Sequence, residues 1–157
     1  MKKHSRTLTV LTLIILSATA CLHKRGGTGV SAWERVHTYN ATLATANETL
    51  EQGAEAAVSA NLVLPIQAAP LIGWTGQVAT VHQQVTAILA KGSATPADIA
   101  AVKALVDQIK ASLASLPPIA VGVKNPKSQQ TFQRDIENVG ALADALLTSL
   151  EAIGGSQ

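Results

Sequence analysis

Only one cysteine, Cys21, occurs in the 157 residues, so no internal disulfide can form. Aromatic side chains are nearly as scarce: Trp33, Tyr39, Trp74 and Phe132 make up 3% of the chain. A core with so few large side chains has little with which to line a ligand pocket or anchor an interface hot spot. The chain has no Gly-x-Ser-x-Gly elbow, which leaves nucleophilic hydrolysis without its usual frame. Its one glycine-rich run, Gly26-Gly27-Thr28-Gly29, follows no predicted strand and lacks the Lys-Ser/Thr of a phosphate-binding loop. No segment alternates long enough to read as a strand, and none reaches the ~20 apolar residues that a permanent transmembrane helix needs.

What is present begins at the N-terminus. Met1-Lys2-Lys3-His4-Ser5-Arg6 carries three cations and no acid. Thr7 to Leu16 is apolar and uncharged, and Ser17-Ala18-Thr19-Ala20 closes the stretch with small residues before Cys21. This order of charged, apolar and small residues is that of a secretory signal over residues 1–20. Cleavage between Ala20 and Cys21 has two readings. An ordinary signal peptidase would accept the small residues Ala18 and Ala20. Read as Ala18-Thr19-Ala20-Cys21, the same stretch resembles the lipobox of bacterial lipoproteins, with Ala18 standing where that family usually has Leu. The resemblance covers only the first 21 residues. It implies that the Cys21 thiol receives a diacylglycerol and that Cys21 becomes the mature N-terminus. A lone thiol directly after a cleavage site is otherwise a liability in an oxidising compartment. Leu22 rather than Asp after the cysteine implies sorting to the outer membrane, facing the periplasm. The alternative is a secreted or periplasmic soluble protein with a free or cross-linking thiol.

Removal of the signal changes the charge. Lys2, Lys3 and Arg6 leave with it, so 9 of the 12 cations remain against all 10 acids, a net charge of −1. The basic balance of the whole chain therefore belongs to the signal. It is no argument for nucleic-acid binding, which needs a basic face on the mature domain.

Residues 21–30 read as the anchor cysteine and a glycine-containing linker, and residues 31–154 as one helical-bundle domain. The nine linker residues Leu22–Val30 reach a root-mean-square ~15–18 Å, which would keep the domain near a membrane surface. Ser31-Ala32-Trp33-Glu34 is a capping box. From it, Val36, Leu43, Leu50, Ala57 and Leu64 recur every seven residues, with Tyr39, Ala46, Gly53 and Ala60 between them, which predicts a first helix reaching Leu64. Pro65 and Pro70 predict a turn or kink over Leu64–Ala69. A second helix is then expected from about Pro70 to Lys91, with Trp74, Val78, Val81, Val85 and Ile88 inward and Gly92 as its stop. Thr95-Pro96-Ala97-Asp98 predicts the start of a third, with Ile99, Val102, Val106, Ile109, Leu113 and Leu116 inward and Pro117-Pro118 ending it. Asn125-Pro126 predicts a fourth, with Phe132, Ile136, Val139, Ala143, Leu146, Leu150 and Ile153 inward. The expected fold is all-α: an antiparallel up-down bundle of about four helices with left-handed, coiled-coil-like packing near ~20°.

Candidate chemistry is sparse. Glu34 and His37 have the Glu-x-x-His spacing of di-iron bundles, but no second pair exists, because Ala79 stands three residues before His82. Both should point outward beside the inward Val36. If Cys21 stays unacylated, Cys21-Leu22-His23 can offer an amine and imidazole to Cu(II) or Ni(II). Asn40-Ala41-Thr42 and Asn47-Glu48-Thr49 match the N-glycosylation pattern, though a bacterial-looking signal makes them chance matches. Leu62–Trp74 is uncharged and apolar; it reads either as a patch that docks a partner or lipid, or as a buried bend. The expected function is that of a membrane-tethered structural or protein-interaction module, with no catalytic residues, no metal, no cofactor and no nucleic acid. Its partners would be the membrane, through Cys21, and an envelope protein. The competing reading is an exported carrier or sensor with a small apolar ligand or metal between the helices.

Overall fold

The structure is a computed structural model that describes residues 31–92, 95–116 and 126–154. The expected signal, Cys21, the expected linker, Pro117-Pro118 and Asn125 lie outside those residues. Helix α1 is Ala32–Ser59, α2 is Pro65–Leu89, α3 is Pro96–Ala114 and α4 is Pro126–Gly154. The chain folds as an all-α bundle, with no strand among the described residues.

Each helix packs on two neighbours, so the order around the bundle is α1, α2, α3, α4 and back to α1. The polar contacts give the directions. Asn40 and Asn47 of α1 meet Thr86 and Thr75 of α2, with numbers rising on one side and falling on the other. Trp74 and Lys91 meet Ser112 and Asp98 in the same reversed sense, as do Lys103 and Lys110 with Glu151 and Asp144. The topology is therefore up-down-up-down, which short connections between helices favour.

The inner stripe of α1 differs from its heptad reading. Val36, Leu43, Leu50 and Ala57 are buried as expected. The residues that alternate with them at the centre of the seam are Asn40, Asn47 and Ala54, at steps of four and three. Ala46 is buried as well, but Tyr39 and Gly53 are only half-buried and Ala60 is exposed. The stripe is thus rotated toward a column that contains two polar residues, which an apolar pattern does not detect.

The first helix also ends earlier than expected. Asn61 has φ +56, the left-handed conformation that asparagine tolerates better than most residues. Its N–H donates to Val58 O and the Leu62 N–H to Ala57 O, both at 2.9 Å. This is the Schellman arrangement, which satisfies the last carbonyls and stops the helix. Leu64 is consequently not a seam residue: it is extended (φ −73, ψ 143), 53% exposed, and precedes the helix.

The expected turn over Leu64–Ala69 is in fact the first turn of α2. Pro65 occupies the first helical position, where its missing N–H costs nothing. The Gln67 side chain accepts from the Leu64 N–H at 3.3 Å. Pro70 lies inside the helix. Its penalty is outweighed because Ala68, Leu71 and Trp74 on this stretch are all buried, at ~1.5–3 kcal/mol for a side chain the size of Leu71. At its other end α2 buries Leu89, leaving Ile88 half-buried. Gly92, at φ +76, follows where the chain must reverse.

α3 and α4 match the expected patterns closely. Val102, Val106 and Ile109 are buried, with Ile99, Leu113 and Leu116 packed around them. In α4, Phe132, Val139, Ala143, Leu146 and Leu150 are buried, joined by Leu142. A Cβ at Gly140 would sit 3.0 Å from Leu113 Cδ2, so the glycine sets how closely α3 and α4 approach.

Candidate functional site

Side chains that carry chemistry lie in four places. The first is the outer start of α1. Glu34 and His37 are both exposed, as their place beside Val36 implies. His37 packs edge-on to Trp33, with ring centroids 6.0 Å apart at 90°. His82 lies on α2, half-buried, and its Nδ1 has no hydrogen-bond partner. No group of three or more His, Cys, Asp or Glu comes together among the described residues. The Cys21-Leu22-His23 triplet lies outside them.

The second place is the α1–α2 seam. The Asn40 amide donates to Thr86 Oγ1 at 2.9 Å, and Thr86 in turn donates to His82 O at 2.8 Å. The Asn47 amide donates to the Thr75 carbonyl at 2.9 Å. Both asparagines are almost fully buried, and their Oδ1 atoms accept no hydrogen bond. These are the asparagines of the two glycosylation-pattern triplets. Folded, neither amide is accessible to a modifying enzyme; each holds α1 in register with α2, as isolated buried asparagines do in coiled coils.

The third is the α2–α3 turn. Thr95 Oγ1 accepts from the Asp98 N–H at 3.1 Å and donates to Asp98 Oδ2 at 2.6 Å. Lys91 Nζ reaches Asp98 Oδ1 at 2.9 Å. The Thr95 hydroxyl first, and the Lys91 ammonium second, hold the Asp98 carboxyl below the ordinary carboxylate range, against a smaller opposing effect of burial. The cap expected from Thr95-Pro96-Ala97-Asp98 is thus present, and Lys91 completes it from the preceding helix. The charge next to α3 is otherwise external. Lys110 is raised chiefly by its 2.6 Å contact with Asp144, and both side chains are about half-exposed or more. Asp135 on α4 is raised by burial, which the neighbouring Arg134 only partly offsets.

The fourth is the outer face of α2. Between Glu55 and Lys91 the chain has no Asp, Glu, Lys or Arg. The uncharged stretch Leu62–Trp74 divides within this region. Val63, Ala68, Leu71 and Trp74 are buried, whereas Leu64 and Ile66 are exposed, Ile66 by 80%. The stretch is therefore buried on one side and exposed on the other. Trp74 Nε1 donates to Ser112 Oγ at 3.0 Å, pinning this end of α2 to α3. Alongside runs an open groove of about 280 Å³ between α2 and α3, rimmed by Gln77, Thr80, Gln84 and Gln108 over a floor that includes Val81 and Ile109. Its rim is neutral and hydrogen-bonding. The absence of charge along the whole of α2 was the available sequence signal for this surface.

No family model matches the chain, and no curated protein or solved structure shows significant similarity to it. Among the described residues no helix is long and apolar enough to cross a membrane.

Proposed function

We propose that this chain is a cell-envelope lipoprotein whose helical bundle, tethered to a membrane by a lipid on Cys21, acts as a structural or protein-interaction module. The observation that carries the reading is the position of the chain's one cysteine, directly after Ala18-Thr19-Ala20 at the end of a signal-like segment. Two acyl chains on that residue would give a stable anchor where one would give marginal binding. Leu22 favours the outer membrane, with the bundle facing the periplasm. In this reading the protein is not an enzyme, and its surface rather than an interior cleft does the work.

Two features of the bundle support a surface role. Its core is built mostly from aliphatic side chains, with Trp74 and Phe132 as its buried aromatics and with register-setting polar residues between α1 and α2. The α2–α3 groove is where a carrier or sensor would hold a small apolar ligand or metal. At about 280 Å³, open on one side and rimmed by amides, it lies at the lower edge of the ~300–1,000 Å³ of small-molecule sites. The interaction reading is therefore the better supported of the two.

The test is metabolic labelling of a bacterial host with a fatty-acid analogue, comparing the wild-type chain with Cys21→Ser, followed by membrane fractionation. The expected result is label and membrane association in the wild type and neither in the variant. An unlabelled wild type found wholly in the soluble fraction would replace the lipoprotein with a secreted bundle.

A further inference from the structure

We infer that the bundle pairs with a second copy of itself through the outer face of α2, in an antiparallel arrangement about a two-fold axis near Gly76 and Gln77. The inference deepens the tethered-module reading and rests on it for the strength of the pairing. Three observations point to a second copy as the occupant.

The first is charge. α1, α3 and α4 all carry exposed Asp, Glu, Lys or Arg, whereas α2 carries none of these along its 25 residues. A soluble surface normally intersperses charge. A face without it can be covered with no ion to desolvate, and interface cores are depleted of charge for that reason. A strongly charged partner would gain nothing there.

The second is the chemistry of what replaces charge. The exposed polar groups of α2 include the amides of Gln77, Gln83 and Gln84 and the hydroxyl of Thr80. Amides both donate and accept, so the Gln77 side chain beside the axis can bond to its own copy, and the others meet uncharged neighbours without repulsion. Carboxylates or ammoniums placed across a two-fold axis would repel. The neutral rim of the α2–α3 groove is continuous with this face and has the same property.

The third is shape. All the following residues are exposed. In an antiparallel pair centred on Gly76 and Gln77, Ile66 meets Ala87, Ala69 meets Gln84, and Gly73 meets Thr80, each contact occurring twice as a two-fold interface requires. Larger residues thus face smaller ones along the helix. At Gly73 and Gly76 nothing lies within 4 Å of where a Cβ would be, so the two backbones can approach closely there.

The size of the face sets the strength. From Ile66 to Ala87 the helix runs ~33 Å, and at its width of ~10–12 Å it presents an outline of about 350 Å² per copy. Stable complexes bury about 800 Å² per partner. The pair is therefore weak between dissolved molecules, and confinement of both copies to one membrane surface supplies the missing effective concentration.

The test uses the full chain, expressed with its signal and probed in intact cells with a short bismaleimide. Gly76→Cys places a thiol at the axis, in open space, and the wild type supplies the blank for Cys21. The expected result is a species of twice the mass, about tenfold more abundant than from Glu48→Cys on the outer face of α1. Co-expressed Gly73→Cys and Thr80→Cys chains should cross-link to each other more than either does alone. Adding Ile66→Lys, which brings a cation into the uncharged face, should suppress both signals. Crosslinking of Gly76→Cys no greater than that of Glu48→Cys, with wild type carrying the fatty-acid label, would overturn the pairing while leaving the anchor in place. Crosslinking at Gly76→Cys without any fatty-acid label would keep the pairing and remove the anchor.

Discussion

The α1–α2 and α2–α3 turns do the same topological job by different physics. The first is apolar and backbone-driven. Asn61 in the left-handed region closes the helix, Val63 and Leu71 anchor the bend in the core, and the chain carries no Asp, Glu, Lys or Arg between Glu55 and Lys91. The second is polar: Gly92 reverses the chain, Thr95 caps α3, and Asp98 is held by Thr95 and Lys91 together. An apolar turn leaves large side chains such as Leu64 and Ile66 in solvent, because a bend has too little inside to bury all of them. The polar turn commits Thr95 and Asp98 to each other and to its own backbone, with Lys91 on the carboxylate. The difference leaves the exposed large apolar side chains beside the first turn.

Substitutions at four positions test that contrast. The largest effect is expected at Leu71→Ala, which empties a buried position just after the apolar bend and should cost about 2–4 kcal/mol in urea unfolding. A loss under about 1 kcal/mol would mean that the bend does not depend on its core anchor. Next is Asn61→Val. A β-branched residue at φ +56 should lose about 1–2 kcal/mol, whereas Asn61→Gly should be neutral or slightly stabilising. Equal thermal midpoints for the Val and Gly variants would refute a backbone-driven stop.

On the polar side, Thr95→Ala removes the cap and should cost about 1 kcal/mol at neutral pH. The variant also changes the acid response. The Asp98 carboxyl is held below its ordinary value in the folded chain. Its contribution is therefore present above the unfolded carboxylate range and is lost as pH falls through the lowered value. Without the Thr95 hydrogen bond there is less to lose, so the stability gap between wild type and variant should narrow in acid; a gap that widens would contradict the assignment. The smallest effect on folding is expected at Ile66→Ser, within about 0.5 kcal/mol by thermal denaturation, because that side chain is already in solvent. The same substitution should weaken the pairing of α2 with its copy, so folding and association are read separately.

Fold class was legible because each helix carries its own period and most carry punctuation. Thr95-Pro96 and the seams of α3 and α4 needed only local physics: a cap, a proline at the first position and an apolar stripe. Three features required tertiary knowledge. The Asn40–Asn47 column was hidden because an apolar count excludes asparagine, although its seven-residue spacing was visible. The end of α1 was hidden because the left-handed state of Asn61 leaves no trace in a heptad that continues nominally to Leu64. Pro70 reads as a breaker because its penalty is local, whereas the burial of Ala68, Leu71 and Trp74 that offsets it is collective. The candidate surface was half-legible. Its lack of charge lay open in the sequence, but which apolar residues of Leu62–Trp74 face solvent depends on the packing of α2 against α1 and α3.

The even number of helices among the described residues has a practical corollary. With strict up-down order, Ala32 and Gly154 emerge at one end of the bundle and the Leu64–Ile66 bend stands at the other, a helix length of ~42 Å away along α1. Parity thus makes the domain a spacer: a reporter fused after Gly154 would sit beside the point where the chain enters, while a label in the first turn would sample a layer some tens of ångströms distant. The pair of labels would act as a molecular ruler along α1.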